Sequence, residues 1–239
     1  MPKSRWRTSY AARVPREATF HEAGRTLVLV DRGAHHELTI GGIPILTSAL
    51  LGTERAFGRL AGRLADRARA RVVIGGLGFG ATLRGVLDVA PADARVVVVE
   101  KVAALPRLLR GELARFGPDL LDDPRVSVVC ADVVDVIAAA RADTDAILLD
   151  VDNGPGWASF RTNARLYAPA GLARARQALA PGGSLAVWSG YPADAFRVAL
   201  RAAGLAPSVV PLREPGRLRR GPSACAYVGL RRGPDDATS

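Results

Sequence analysis

The sequence predicts an α/β fold: a mostly parallel seven-stranded sheet with helices on both faces, its last strand antiparallel, preceded by a small antiparallel β unit. Three observations carry this. From Arg71 onward, short apolar runs alternate with helical periods. The central runs are continuously apolar rather than alternating, as strands buried on both faces must be. The first sixty-odd residues instead hold short strand-like runs split by turn signals.

The β unit comprises Thr26–Val30, Glu37–Ile40 and Ile43–Leu46, separated by Asp31-Arg32-Gly33 and Gly41-Gly42. A linking helix follows between Ala49 and Ala70, with Leu50, Phe57, Leu60, Ala61 and Leu64 on one stripe. Strands are then expected at Arg71–Gly75, Arg95–Glu100, Val126–Cys130, Ala146–Asp150 and Ser184–Trp188. The helices between them cover Ala81–Val89, Ala103–Phe116 (with Pro106 in its first turn), Val133–Ala140 and Pro169–Leu179. Pro181-Gly182-Gly183 turns the chain into the fifth of these strands. A helix over Ala193–Ala203 ends at Gly204, and Val209-Val210 and Ala224–Val228 form an antiparallel hairpin at the sheet edge. The organisation is therefore a β unit with its linking helix over 1–66, an α/β domain over 67–233, and a tail over 234–239.

Composition narrows the function classes. Hydrophobic residues make up 49% of 239, enough for a full core. No apolar run is long enough to cross a bilayer, and the basic N-terminus lacks the apolar stretch of a secretory signal, so the chain reads as cytoplasmic. The net charge of +10 comes almost entirely from arginines spread along the chain. Arg59, Arg63 and Arg67, four residues apart, read as one solvated helix face rather than a nucleic-acid footprint. Cys130 and Cys225 have no partners at metal-ligand spacing and read as buried small side chains. His21, His35 and His36 read as loop-exposed; no metal is expected.

The chemistry concentrates at strand ends. The first parallel strand runs into Gly75-Gly76-Leu77-Gly78-Phe79-Gly80, where glycines permit a sharp turn and close approach to a ligand. With Ala81, this run also fits the loop of an NAD site. Glu100 ends the second strand, where a carboxylate can accept both ribose hydroxyls. Asp132 follows the third strand and fits equally well as the N-cap of the next helix. Asp150 ends the fourth and opens Asp150-Val151-Asp152-Asn153-Gly154-Pro155, in which Asp152 and Asn153 also suit a turn. Trp157, Tyr167 and Tyr191 are candidate walls for an aliphatic or cationic substrate, and Trp157 and Tyr191 suit a lid or core anchor as well.

These residues resemble the spermidine-synthase-like (polyamine aminopropyltransferase-like) branch of the class I S-adenosylmethionine-dependent methyltransferase superfamily, a Rossmann-like fold. The carriers are Val73–Gly80, Val98-Val99-Glu100, Ala131-Asp132, Asp145–Asp150 with Asn153-Gly154-Pro155, and Leu166-Tyr167 leading to Leu179–Gly183. The resemblance implies a transferase moving an aminopropyl group from decarboxylated S-adenosylmethionine to a small-molecule amine, with family members often homodimers. It places Gly75, Gly76, Gly78, Gly80, Glu100 and Asp132 around the nucleoside, with Asp132 on the adenine side. It makes Asp150 the acid/base and Asn153 an acceptor anchor; Asp152, Trp157, Tyr167 and Tyr191 stand beside these as candidate acceptor-pocket residues. Three positions depart from the family pattern. Gly78 stands where the aminopropyltransferases carry an aspartate facing the donor's amino end. Asn153 replaces a second acceptor-side aspartate. The family's Tyr-Gln or Tyr-His pair is missing, and Glu54 lies near that place. Methyl transfer from S-adenosylmethionine is accordingly a close alternative, since a loop acid would repel its carboxylate. An NAD-dependent oxidoreductase would need a Tyr-x-x-x-Lys pair, which Lys3 and Lys101 do not supply.

Overall fold

The computed structural model describes residues 16–22, 24–151, 154–155, 163–216 and 223–233. The chain divides into two compact units, 1–49 and 50–239.

The first unit is a four-stranded antiparallel sheet, β1 (Arg16–Glu22), β2 (Arg25–Asp31), β3 (His36–Ile40) and β4 (Ile43–Thr47), paired in that order. Gly41 and Gly42 both adopt positive φ (58° and 79°), which a two-residue hairpin between Ile40 and Ile43 requires. Leu27, Leu29 and Leu38 are buried. Strand β1 is not among the sequence expectations, because only Ala18 and Phe20 mark its apolar alternation. The histidines differ from expectation too. His21 lies in β1, and His36 opens β3 and is buried, its N–H donating to Ser48 Oγ (2.8 Å).

The second unit opens with α1 (Gly52–Gly58), which tightens into a 3-10 turn over Arg59–Leu64. The helix expected from Ala49 to Ala70 is thus shorter and groups with the second unit, since it packs on α2 (Ala81–Leu87). That contact is made by glycines. A Cβ on Gly58 would sit 2.1 Å from the carbonyl oxygen of Thr82, and one on Gly85 2.1 Å from that of Arg55. Arg55 and Arg59 both grip Asp88 at 2.9 Å, and Arg67 binds the buried Asp145 at 2.7 Å. Arg59, Arg63 and Arg67 are all exposed, as expected of a solvated face, and Arg59 and Arg67 also form ion pairs there.

The seven-stranded sheet follows the order β10-β11-β9-β8-β5-β6-β7. Strands β5 (Arg71–Gly75), β6 (Arg95–Glu100), β7 (Val126–Cys130), β8 (Thr144–Leu149) and β9 (Leu179–Ser189) are mutually parallel where they pair. Strands β10 (Ala206–Leu212) and β11 (Ala224–Leu230) form the antiparallel hairpin, joined to β9 through β11. Strand β9 starts earlier than the sequence suggests: Pro181–Gly183 lies within it, at a register shift opposite Thr144 and Ala146. The expected helix over Ala103–Phe116 breaks at Gly111, giving α3 (Ala104–Arg110) and a 3-10 turn at Ala114–Phe116 before α4 (Pro118–Leu121). Helices α5 (Val133–Ala139), α6 (Ala164–Tyr167), α7 (Pro169–Ala178) and α8 (Asp194–Ala202) complete the unit. One sheet face packs Ile147, Leu149, Leu185 and Val187 against Ile137, Leu172 and Phe196 of α5, α7 and α8. Cys130, expected buried, is exposed because β7 is an edge strand; both cysteines are free. Among the described residues no helix is long and apolar enough to cross a membrane.

Candidate active site

Because β5, β6, β7 and β8 run parallel, their carboxyl ends share one edge, and the glycine loop, Glu100, Asp132 and Asp150 meet there. The loop lies on the chain leaving β8. Gly76 has φ +92°, and a Cβ there would fall 2.2 Å from the carbonyl oxygen of Asp150. Only glycine satisfies both the backbone angle and that approach. Gly78 and Gly80 also have positive φ (49° and 81°), and Gly80 caps α2 in the left-handed conformation. Leu77 and Phe79 turn inward and are buried, Phe79 against Phe116 at 5.2 Å between ring centroids.

Glu100 holds this loop. Its Oε2 accepts from Leu77 N–H (2.8 Å) and its Oε1 from Val102 N–H (2.7 Å). Burial pushes its carboxyl above the usual range, opposed by the backbone N–H groups of Val102 and Leu77. Asp132 caps α5, accepting from Val134 N–H (3.0 Å), as its alternative sequence reading expects. Its Oδ2 also receives Lys101 Nζ (2.9 Å) and Arg165 Nη2 (3.2 Å). Burial works to raise Asp132, but the bond from Lys101 and the Val134 N–H hold it below the usual carboxylate range.

The acids on the other side differ. Asp150 Oδ2 accepts from Thr82 Oγ1 at 2.5 Å. Burial raises Asp150 to about 6, with the Thr82 bond pulling the other way. Glu54, on α1, is raised to about 8, first by burial and then by the charge of Asp150, with Glu214 adding a smaller push. Its Oε2 is buried and has no hydrogen-bond partner. Two features fix α1 here. The Gly58–Gly85 crossing brings it against α2, and Glu214 caps it, accepting from Gly52 N–H and Thr53 N–H (both 3.1 Å). Glu54 thereby shares one small volume with Thr82 and Asp150: its own carbonyl oxygen is 3.3 Å from Thr82 Oγ1.

The structure thus gathers Gly75, Gly76, Gly78, Gly80, Glu100, Asp132, Asp150 and Glu54 on one edge. Tyr167 is partly buried and packs edge-on to Phe196 (5.8 Å) in the α5–α7–α8 layer. Tyr191 follows β9 and is exposed, its carbonyl accepting from Ser189 Oγ (2.6 Å). Asp152, Asn153 and Trp157 lie outside the described residues. Thr82, Lys101, Arg165 and Glu214 are absent from the sequence-based set. A threonine on the inner side of the first turn of α2 was the one local signal for Thr82; the others are tertiary pairings with no pattern in the chain. Among the described residues no group of three or more His, Cys, Asp or Glu side chains could hold a metal ion.

A glycine turn admits close approach, the Glu100 carboxylate lies under it, and the edge beyond β7 is open at the exposed Cys130.

No family model matches the sequence. Over 123 residues the chain is 37% identical to polyamine aminopropyltransferase 1 of Streptomyces coelicolor, a match covering 51% of this chain and 22% of that protein. Over 132 residues it is 34% identical to the polyamine aminopropyltransferase of Mycobacterium tuberculosis, covering 54% of this chain and 24% of that one. The matched stretch is thus about a quarter of the length of these curated relatives. Among solved structures, spermidine synthase from Thermotoga maritima superposes with a TM-score of 0.68 at 17% identity, over 90% of this chain and 72% of that one. A spermidine synthase in complex with the transition-state analogue AdoDATO gives 0.67 at 15%, over 90% and 71%. A probable spermidine synthase from Corynebacterium glutamicum gives 0.63 at 20%, over 91% and 81%. The chain is similar in sequence, over half its length, to polyamine aminopropyltransferases, and it has the fold of the spermidine synthases.

Proposed function

We propose that this chain is an aminopropyltransferase, moving an alkyl group from decarboxylated S-adenosylmethionine to a small-molecule amine. The observation that carries the reading is the pair Asp150 and Glu54, set at the mouth of a glycine loop that Glu100 secures. Glu100 offers its remaining lone pairs to the ribose hydroxyls, and Asp132 stands at the adenine side, anchored by Lys101 and Arg165.

An amine acceptor arrives as an ammonium and must shed one proton to expose its lone pair. Asp150, raised to about 6, is largely ionised at neutral pH, whereas Glu54, raised to about 8, is largely protonated. One negative charge therefore faces the substrate, and it sits on the acid best able to take the proton. With Asp150 protonated, the amine nitrogen forms its bond to the donor carbon. The carbon–sulfur bond breaks and its electron pair returns to sulfur, leaving a neutral thioether. The chain holds nucleophile and carbon in line, which is largely a matter of positioning. Glu54 stands beside Asp150 as a neutral carboxyl, and Tyr191, with Asp152, Asn153 and Trp157, completes the acceptor side in this reading.

Gly78 favours a second reading, methyl transfer from S-adenosylmethionine, because no loop acid repels the donor's carboxylate. The products separate the two. The full chain incubated with both donors and an aliphatic diamine is expected to release methylthioadenosine. Release of S-adenosylhomocysteine alone would replace aminopropyl transfer with methyl transfer.

A further inference from the structure

Thr82 is buried, and its single hydroxyl hydrogen faces two acceptors: Asp150 Oδ2 at 2.5 Å and the carbonyl oxygen of Glu54 at 3.3 Å. A hydroxyl donates to one acceptor at a time but keeps lone pairs to accept with. With Asp150 ionised, the hydrogen points at Oδ2. With Asp150 protonated, the carboxyl O–H donates to Thr82 Oγ1, and the threonine hydrogen turns to the Glu54 carbonyl. In both states Thr82 Oγ1 and Asp150 Oδ2 stay bonded to each other, so a proton arrives at Oδ2 without breaking that contact.

We propose that Thr82 is a positioning residue that turns with the protonation state of Asp150 and thereby sets how readily that acid accepts a proton. Its value to catalysis rests on the aminopropyl-transfer reading; the rotation itself does not. The geometry behind it is fixed from three sides. Thr82 stands in the first turn of α2, Asp150 follows β8, and the Glu54 carbonyl belongs to α1, locked to α2 at Gly58 and Gly85. Among the described residues the charged group that interacts with Asp150 is Glu54 from α1, which in turn feels Glu214 from the segment after β10; both are acids. Among the described residues Thr82 is the side chain that hydrogen-bonds Asp150, so the hydroxyl carries the stabilisation of the ionised form.

The test compares Thr82→Val, which keeps shape and loses the hydroxyl, with Thr82→Ser, which keeps the hydroxyl. The carboxyl carbon of Asp150 is titrated by NMR in the full ligand-free chain, its resonance assigned by its loss in Asp150→Asn. Valine is expected to raise the titration midpoint by about one pH unit, the worth of one hydrogen bond to a charged group, and serine to leave it near the wild-type value. The acid limb of the rate profile with decarboxylated S-adenosylmethionine and a diamine should move by the same amount. An unmoved midpoint in Thr82→Val, or an equal shift in Thr82→Ser, overturns the proposal. A shifted midpoint in a chain that turns over no alkyl donor supports the role of Thr82 and refutes aminopropyl transfer.

Discussion

Two pairs of acids stand on one sheet edge and are treated in opposite ways. Glu100 and Asp132 are saturated in the sense that each carboxyl oxygen already has a protein donor, with lone pairs to spare on Glu100: backbone N–H groups, those of Leu77 and Val102 among them, bind the first, and a helix N-terminus, a lysine and an arginine bind the second. Asp150 and Glu54 are left wanting, one with a single hydroxyl and the other with a bare buried oxygen. The same chemical group thus serves as scaffold or as reagent according to how many donors surround it. The saturated pair shapes a binding surface. The starved pair holds one proton between two carboxyls near neutral pH.

Three substitutions probe this contrast, in order of expected effect. Asp150→Asn should remove the proton acceptor and lower turnover by about 10²–10⁴-fold. Nucleoside affinity measured by calorimetry should stay within about threefold; turnover at the wild-type rate would mean that the starved pair does no chemistry. Glu100→Ala should unpin the loop at Leu77, weakening nucleoside binding by about tenfold or more and lowering thermal stability, since the buried Leu77 N–H and the part-buried Val102 N–H lose their acceptor, the buried one at ~1–3 kcal/mol. Intact affinity in the variant would deny the saturated pair its scaffold role. Glu54→Gln has the smallest effect, and its signature is a slope. The folded chain binds a proton at Glu54 more tightly than the unfolded chain does. Stability should therefore be highest below the ordinary carboxylate range and fall as pH rises from there toward about 8. Thermal melts across that window should flatten in Glu54→Gln, and an unchanged slope would place the raised acidity elsewhere.

Much of this edge was legible in the sequence, for a definite reason. Glu100, Asp132 and Asp150 each lie at or just past the end of an apolar run that marks a strand, and a glycine-rich turn follows the strand before them in the chain. Strand ends are local features. The alternate reading of Asp132 as a cap was equally legible, and the cap is there. What the sequence hides is partnership. Thr82 lies 68 positions from Asp150, and Glu214 lies 161 and 162 from the N–H groups it caps. No periodicity encodes such pairs. Strand β1 was hidden differently: between charged and polar neighbours, two apolar residues make too faint an alternation. Cys130 misled because an apolar run suggests burial, and only the strand order puts that run at an edge.

The contact between Gly58 and Gly85 has a consequence for how the protein can vary. With no side chain at either position, the spacing of α1 and α2 is a hard stop set by main-chain atomic radii. Rotamers cannot loosen it, and repacking elsewhere on the two helices does not reset it. Their outer surfaces are consequently free to drift over generations while the approach of the Glu54 carbonyl to Thr82 keeps its calibration.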